Sequence, residues 1–309
     1  MLFCAPDLCR SRPTVSPVSV IPPETLARVA DALAALTRAG LPALEARMLV
    51  SHATGLSRVQ LITQDTYGID EAVRQQLSEL AARRLAGEPM AYLLGDREFF
   101  GRTFKVTPAV LIPRPDTELL VEQALDRIEE RDAPDVLDMG TGSGIIAITI
   151  ALARRDACVW ATDASADALA VAMGNAQALG AANLHAALGD WYGALAEADA
   201  PHVFDLIVSN PPYIAATDEH LGQGDLRFEP PSALTDHDDG LRHLRTIITG
   251  APARLAADGW LLLEHGYDQG EAVRALLTQA GFADVFTAQD LASHDRCSGG
   301  RWPTAKTPA

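Results

Sequence analysis

The chain has 309 residues, 48% of them hydrophobic and 21% charged, the balance of a globular protein with length for two domains and a sizeable core. Its formal net charge is −16 and its only lysines are Lys105 and Lys306, so it lacks the general basic attraction to phosphate backbones that nucleic-acid binding draws on. It contains no run of 18 apolar residues, which excludes a helical membrane span, and its four cysteines (Cys4, Cys9, Cys158 and Cys297) show no C-x-x-C spacing, so reduced thiols and a cytoplasmic setting are expected.

In chain order, the first stretch is broken by prolines and lacks the continuous apolar segment of a signal peptide. Residues 1–22 are read as a flexible tail. From residue 23 to 88 the pattern is helical. "TLARVADALAALTRAG" places Leu26, Val29, Leu33 and Leu36 at three- and four-residue spacing and stops at Gly40. "PALEARMLVSHATG" stops at Gly55 in the same way, and "DEAVRQQLSELAARRLAGEP" forms a third helix with Asp70 as N-cap. Nothing in this small helical domain carries chemistry, so a structural or docking role is expected. Residues 89–113 contain "EFFGRTFKVTPAVLIP", whose aromatic and β-branched residues around Gly101 predict a β-hairpin linker.

After a helix in "TELLVEQALDRIEE", residues 114–309 alternate short apolar runs with helical segments. "DVLDMG", "CVWATD", "NLHAALGD", "FDLIVSN" and "GWLLLEHG" read as strands. "GIIAITIALARR", "ADALAVAMGNAQALG" and "LRHLRTIITGAPARLAADG" read as helices between them, and "ADVFTAQD" and "RCSGGRW" supply two further strands. This order predicts an α/β fold: a Rossmann-like, mostly parallel seven-stranded sheet covered on both faces.

"LDMGTGSGIIAI" follows the first of these strands and opens a helix. Gly140, Gly142 and Gly144 are spaced G-x-G-x-G; Ile145 stands where the dinucleotide fingerprint needs glycine, and the P-loop lysine is missing. Such a turn still admits close backbone approach, and a helix N-terminus favours a carboxylate. A ligand with a carboxylate and a nucleoside but no phosphate fits, and S-adenosylmethionine is such a ligand. Thr141 and Ser143 belong to the same loop. Asp163 ends the second strand, where a carboxylate can accept ribose hydroxyls. Asp190 and Trp191 end the third, offering adenine an acceptor and a ring. Taken singly, such an Asp is commonly a helix cap and such a Trp is commonly core. At the carboxyl ends of successive strands they share one crevice.

The fourth strand ends in "SNPPYI", with Asn210, Pro211, Pro212 and Tyr213 beside that crevice. A planar NH2 group conjugated to a carbonyl or heteroaromatic ring is a poor nucleophile. The Asn210 side-chain oxygen and the Pro211 carbonyl can each accept one of its hydrogens, fix it opposite a methyl sulfonium and stabilise the charge that develops on nitrogen. Tyr213 can stack on the planar group. The residues alone leave open whether the amine belongs to glutamine, asparagine, adenine or cytosine.

"IPRPDTELLVEQAL", "LDMGTGSG", "SNPPYI", "GDLRFEPPSAL" and "LLLEHGYDQGEAVR" together resemble the peptide chain release factor glutamine methyltransferases, the HemK/PrmC family, over about residues 24 to 302. The resemblance implies a class I S-adenosylmethionine-dependent methyltransferase domain over residues 114–309. The methyl group would go to the amide nitrogen of the glutamine in a release factor's Gly-Gly-Gln motif. It implies that Gly140 to Gly144, Asp163, Trp191 and Asn210 line the cofactor, that Asn210 to Tyr213 hold the glutamine amide, and that the N-terminal helices help dock the release factor. It further places Arg114 and Glu118 on the cofactor side, and Phe228 and Glu229 at the substrate entrance. Sister enzymes that methylate a large-subunit ribosomal protein read R-S-P where this chain has Arg114-Pro115-Asp116, which favours the release-factor branch. The alternatives are that ribosomal-protein branch and a DNA or RNA amino-methyltransferase; the net charge and the absence of a basic recognition region count against the latter. No H-E-x-x-H or clustered Cys/His set occurs, so no metal is expected, and His237 and His243 are read as solvent-facing.

Overall fold

The structure, a computed structural model, describes residues 21–196 and 198–304. Most of the expected tail, residues 1–20, lies outside the described residues. Ile21 is buried, and its carbonyl accepts the Ser78 hydroxyl at 2.6 Å. The chain divides into two compact units between Leu94 and Gly95. Among the described residues no helix is long and apolar enough to cross a membrane.

The first unit is helical: α1 (Val29–Arg38), α2 (Ala43–Thr54), α3 (Arg58–Thr63), α4 (Glu71–Leu85) and α5 (Met90–Leu94). Leu26, Leu36, Leu49 and Leu77 meet in its core, and Arg84 makes a bidentate pair with Glu45 that ties α4 to α2. The stretch expected to be one helix from Thr25 is divided. Pro23–Leu26 forms a single 3-10 turn, and Arg28 is extended and bridges to Gly68, so α1 starts only at Val29. Asp70 stands at the start of α4, but its side chain makes no capping bond. The short helix α3, not expected from the sequence, is opened by a reciprocal capping box between Ser57 and Gln60.

The second unit opens with the hairpin β1 (Asp96–Phe99) and β2 (Arg102–Lys105). There follow α6 (Thr117–Arg127), β3 (Asp135–Met139), α7 (Ile145–Ala153), β4 (Cys158–Asp163), α8 (Ala166–Leu179), β5 (Leu184–Leu188) and β6 (Phe204–Ser209). The chain continues through α9 (Pro231–Leu234), α10 (Arg242–Gly250), β7 (Leu255–Glu264), α11 (Gly270–Gln279), β8 (Ala283–Gln289) and β9 (Asp295–Arg301). The helix expected to run from 241 to 259 stops at Gly250. Pro252 has no N–H to extend it, and Leu255 is already paired with Phe204 in the sheet.

Seven strands form one sheet in the order β5-β4-β3-β6-β7-β9-β8; the first five are parallel and β9 is antiparallel to both of its neighbours. Period-two alternation sends Val136, Leu206, Val208 and Leu262 to one face, against α6 and α7. It sends Leu137, Met139, Ile207, Leu261 and Leu263 to the other, against α10 and α11. The strand order reverses at β3, with β4 on one side and β6 on the other. Ligands of open α/β sheets bind at such a switch point, beyond the carboxyl ends of the strands.

Candidate active site

Sheet register delivers the site. Met139 is paired with Ser209 on one side and with Thr162 on the other, so Gly140, Asn210 and Asp163 leave three adjacent strands at the same level. The Ser209 hydroxyl, donating to the Met139 carbonyl at 2.7 Å, locks two of those exits together. The residues beyond these strand ends line a pocket of about 470 Å³.

The glycine loop forms one wall. Gly140, Gly142 and Gly144 all take positive φ (71°, 55° and 85°), a conformation that a Cβ disfavours. At Gly144 a Cβ would also sit 2.7 Å from Ile148 Cδ1 and 3.1 Å from Ala172 Cβ, so this glycine lets α7 and α8 close up. Asp163 braces the loop: its carboxylate accepts the Gly142 N–H at 2.9 Å and the Ser165 N–H at 2.9 Å. A second brace was missed by sequence reasoning. Asp138, fully buried in β3, accepts the Thr141 hydroxyl at 2.6 Å and the Ala147 N–H at 3.2 Å. Burial pushes its pKa up to about 7 against the pull of those donors. The signal was available, since an aspartate inside an apolar strand three residues before a threonine asks for a partner.

Trp191 and Asp190 line the pocket. Trp191 is a non-glycine residue at positive φ (44°), its ring lies over Gly140, and its centroid is 5.1 Å from that of His243. His237 and His243, expected to face solvent, line the same pocket. Burial and the neighbouring Arg242 lower the His243 pKa.

Of the tetrapeptide, Asn210 and Pro212 line the pocket, and Pro211 is buried. Asn210 Nδ2 donates to the Thr117 hydroxyl at 3.3 Å. Tyr213 turns its hydroxyl inward to Glu264 Oε1, at 3.2 Å, and packs with the core on the α10 side of the sheet. Burial and the Glu264 carboxyl together raise the tyrosine pKa far above its ordinary value. Gly240 and Gln269 hold the backbone that follows: Gln269 Nε2 donates to the Tyr213 carbonyl at 3.0 Å, and a Cβ on Gly240 would collide with that carbonyl.

Thr141, Gly142, Ser143, Asp163 and Trp191 thus meet Asn210 and Pro212 around one cavity, whereas Gly144, Pro211 and Tyr213 stand behind its wall. Arg114 also lines it and pairs with the buried Glu229, which accepts the Ile112 N–H at 2.9 Å. Glu229 is therefore a clamp between two distant loops. Glu118 accepts the Phe100 N–H at 2.8 Å and holds the β1–β2 turn; it does not line the pocket. Phe228 lies under the Arg227 guanidinium.

Two family models match the chain: the PrmC N-terminal domain over residues 26–95 and the methyltransferase small domain over residues 115–224. The release factor glutamine methyltransferase of Bordetella pertussis is 59% identical over 261 residues, 84% of this chain and 95% of that one. Its counterpart from Burkholderia pseudomallei is 55% identical, covering 89% and 97%, and that from Escherichia coli is 43% identical, covering 88% and 96%. Among solved structures, a Pyrococcus furiosus methyltransferase aligns with a TM-score of 0.50 at 17% identity, over 74% of this chain and 100% of that one. The hMettl16 catalytic domain aligns with a TM-score of 0.52 at 15% identity, over 74% and 84%. These distant structures agree with the sheet order in giving the class I methyltransferase fold. On near-full-length identity to its curated relatives, the chain is a methyltransferase and belongs to the release factor glutamine methyltransferase family.

Proposed function

We propose that the protein transfers a methyl group from S-adenosylmethionine to the N5 amide nitrogen of the glutamine in the Gly-Gly-Gln motif of peptide chain release factors. The observation that carries this reading is the shared cavity: the glycine loop and Asp163 line it from one side and Asn210 and Pro212 from the other. The relatives named for the same activity support it.

The pocket residues suit that cofactor. The N–H groups of Gly140, Thr141, Gly142 and Gly144 are donated within the fold, which leaves that of Ser143, at the N-terminus of α7, for a carboxylate. Asp163 keeps lone pairs for ribose hydroxyls beyond the two backbone bonds it already accepts. Trp191 offers a ring face. When bound, the cofactor supplies an electrophilic methyl group. Asn210 Oδ1 accepts one amide hydrogen of the glutamine, and the Pro211 carbonyl, on the backbone between the lining Asn210 and Pro212, accepts the other although the Pro211 ring is buried behind the wall; this orients the nitrogen and stabilises positive charge as it forms. Pro212 and Tyr213 hold that corner rigid. The helices within residues 23–88 dock the protein substrate.

The test is incubation with methyl-labelled cofactor and release factor, with the site located by mass spectrometry of the tryptic peptide. A single methyl on the Gly-Gly-Gln glutamine is expected, and Asn210→Ala removes most turnover while weakening cofactor binding only moderately. Unchanged methylation by that variant refutes the role given to Asn210.

A further inference from the structure

Two segments far apart in the chain bring exposed apolar groups together on the pocket edge of the sheet. Tyr267, in the loop between β7 and α11, is 66% exposed, and Leu291, in the turn between β8 and β9, is fully exposed. His294 of the same turn brings its ring centroid to 5.9 Å from that of Tyr267. β7 is parallel to β6 and β9 runs antiparallel to it, with Cys297 opposite Glu264, so the β8–β9 turn projects past the carboxyl end of β7. Asn210 leaves β6 at that same edge. Single exposed apolar side chains are ordinary on a protein surface. These are set apart by the way they are held.

One side chain ties the Tyr267 loop to the tetrapeptide. Gln269 Oε1 accepts the Gly266 N–H at 2.9 Å, and Gln269 Nε2 donates to the Tyr213 carbonyl at 3.0 Å. Two hydrogen bonds through one carboxamide put the Gly266 amide within about 10 Å of that carbonyl. The turn that carries Leu291 is equally fixed. The Asp290 carboxylate accepts the Ala292 N–H at 2.9 Å and the His294 N–H at 3.0 Å. Arg296 Nη2 lies 3.5 Å from Asp290 and 3.4 Å from Asp116, which precedes the pocket residue Thr117. A standard protein interface covers about 800 Å² on each partner, a patch roughly 30 Å across. A protein that places a glutamine amide against Asn210 and Pro211 therefore also covers the Tyr267 loop and the turn beside it. Backbone fixed in advance spares binding the entropy of ordering it, and tyrosine is among the residues that anchor interfaces. We infer that Tyr267, Leu291 and His294 form a ledge on which the release factor seats an apolar side chain flanking its Gly-Gly-Gln motif, beside the pocket that takes the glutamine. The inference rests on the proposal that a release factor is the substrate.

In the full-length protein, Tyr267→Ser combined with Leu291→Ser should raise KM for the intact release factor about tenfold. Both kcat and affinity for the cofactor should stay within about twofold of wild type. The melting temperature should not fall, because both side chains already stand in water. Tyr267→Phe combined with Leu291→Met keeps the apolar surface and should hold KM within about twofold of wild type. Val203, 45% exposed just before β6 at the opposite edge of the sheet, supplies the control: Val203→Ser should leave KM unchanged. An unchanged KM in the double serine variant, an equal rise in Val203→Ser, or a loss that appears in kcat or melting temperature instead of KM overturns the ledge. A wild-type protein that methylates the release factor while the double serine variant keeps its KM refutes the ledge alone. A wild-type protein that leaves the release factor unmethylated refutes the assigned substrate and the ledge with it.

Discussion

Replacing Gly144 by alanine separates two costs that the glycine loop hides. Both Gly142 and Gly144 have positive φ, so alanine at either position meets the left-handed penalty, offset in part by the loss of unfolded-chain freedom; the net cost is about 1 kcal/mol. Space distinguishes them. A Cβ at Gly142 meets nothing within 4 Å, whereas at Gly144 it would lie 2.7 Å from Ile148 Cδ1 and 3.3 Å from Ala172 Cα. The Ile148 tip can give way, but the α8 backbone cannot move without parting from the sheet. Overpacking of this kind adds about 2 kcal/mol. A domain of 150–250 residues loses roughly 3 °C in melting temperature per kcal/mol. Calorimetry should therefore find Gly142→Ala about 3 °C below wild type and Gly144→Ala about 9 °C below. Equal shifts would refute the claim that Gly144 is required for the approach of α7 to α8.

Glu264, with its pKa pushed up to about 7 by burial, holds its proton in the folded state over a range where the unfolded chain has released it. The folded state thus binds more protons between about pH 4.5 and 7, and unfolding free energy falls as pH rises through that window, by about 3 kcal/mol at most. The groups facing Glu264 are Tyr213, Thr117, Arg296, Asp116 and Cys297. Urea unfolding of Glu264→Gln should show a flatter pH slope there than wild type, and an identical slope would place the titration elsewhere. Trp191→Ala removes the ring over Gly140 and should weaken cofactor binding about tenfold by calorimetry, equivalent to about 1.4 kcal/mol. Arg114→Ala leaves the buried Glu229 carboxylate with the Ile112 N–H and should destabilise by about 2 kcal/mol, discounted from the fully buried case because Arg114 is partly exposed. Glu229→Gln should cost less than Arg114→Ala, which a denaturant titration of both variants will check.

Much of the fold was legible because its signals are local. Alternating apolar runs and helices specify a covered parallel sheet, and the three glycines mark a turn that must bend through positive φ. The segment 241–259 was misread because its helical pattern continues past Gly250; what ends the helix is the pairing of Leu255 with Phe204, about fifty residues away in the chain. The candidate site divides in the same way. Residues at strand ends, such as Gly140, Asp163 and Asn210, announce themselves in the sequence because a parallel strand must end where the crevice begins. Asp138, Thr117 and Glu264 do not. Asp138 and Glu264 lie inside apolar strands and Thr117 opens α6; Asp138 meets Thr141 three residues on, but the contacts of Thr117 with Asn210 and of Glu264 with Tyr213 are set by sheet register and helix packing rather than by spacing along the chain. The sequence by itself determined which chemical groups stand at the mouth of the sheet. Only the tertiary structure decided which way they point, because a hydrogen bond is made by the groups that packing brings within about 3 Å of one another, and separation in sequence does not encode that distance.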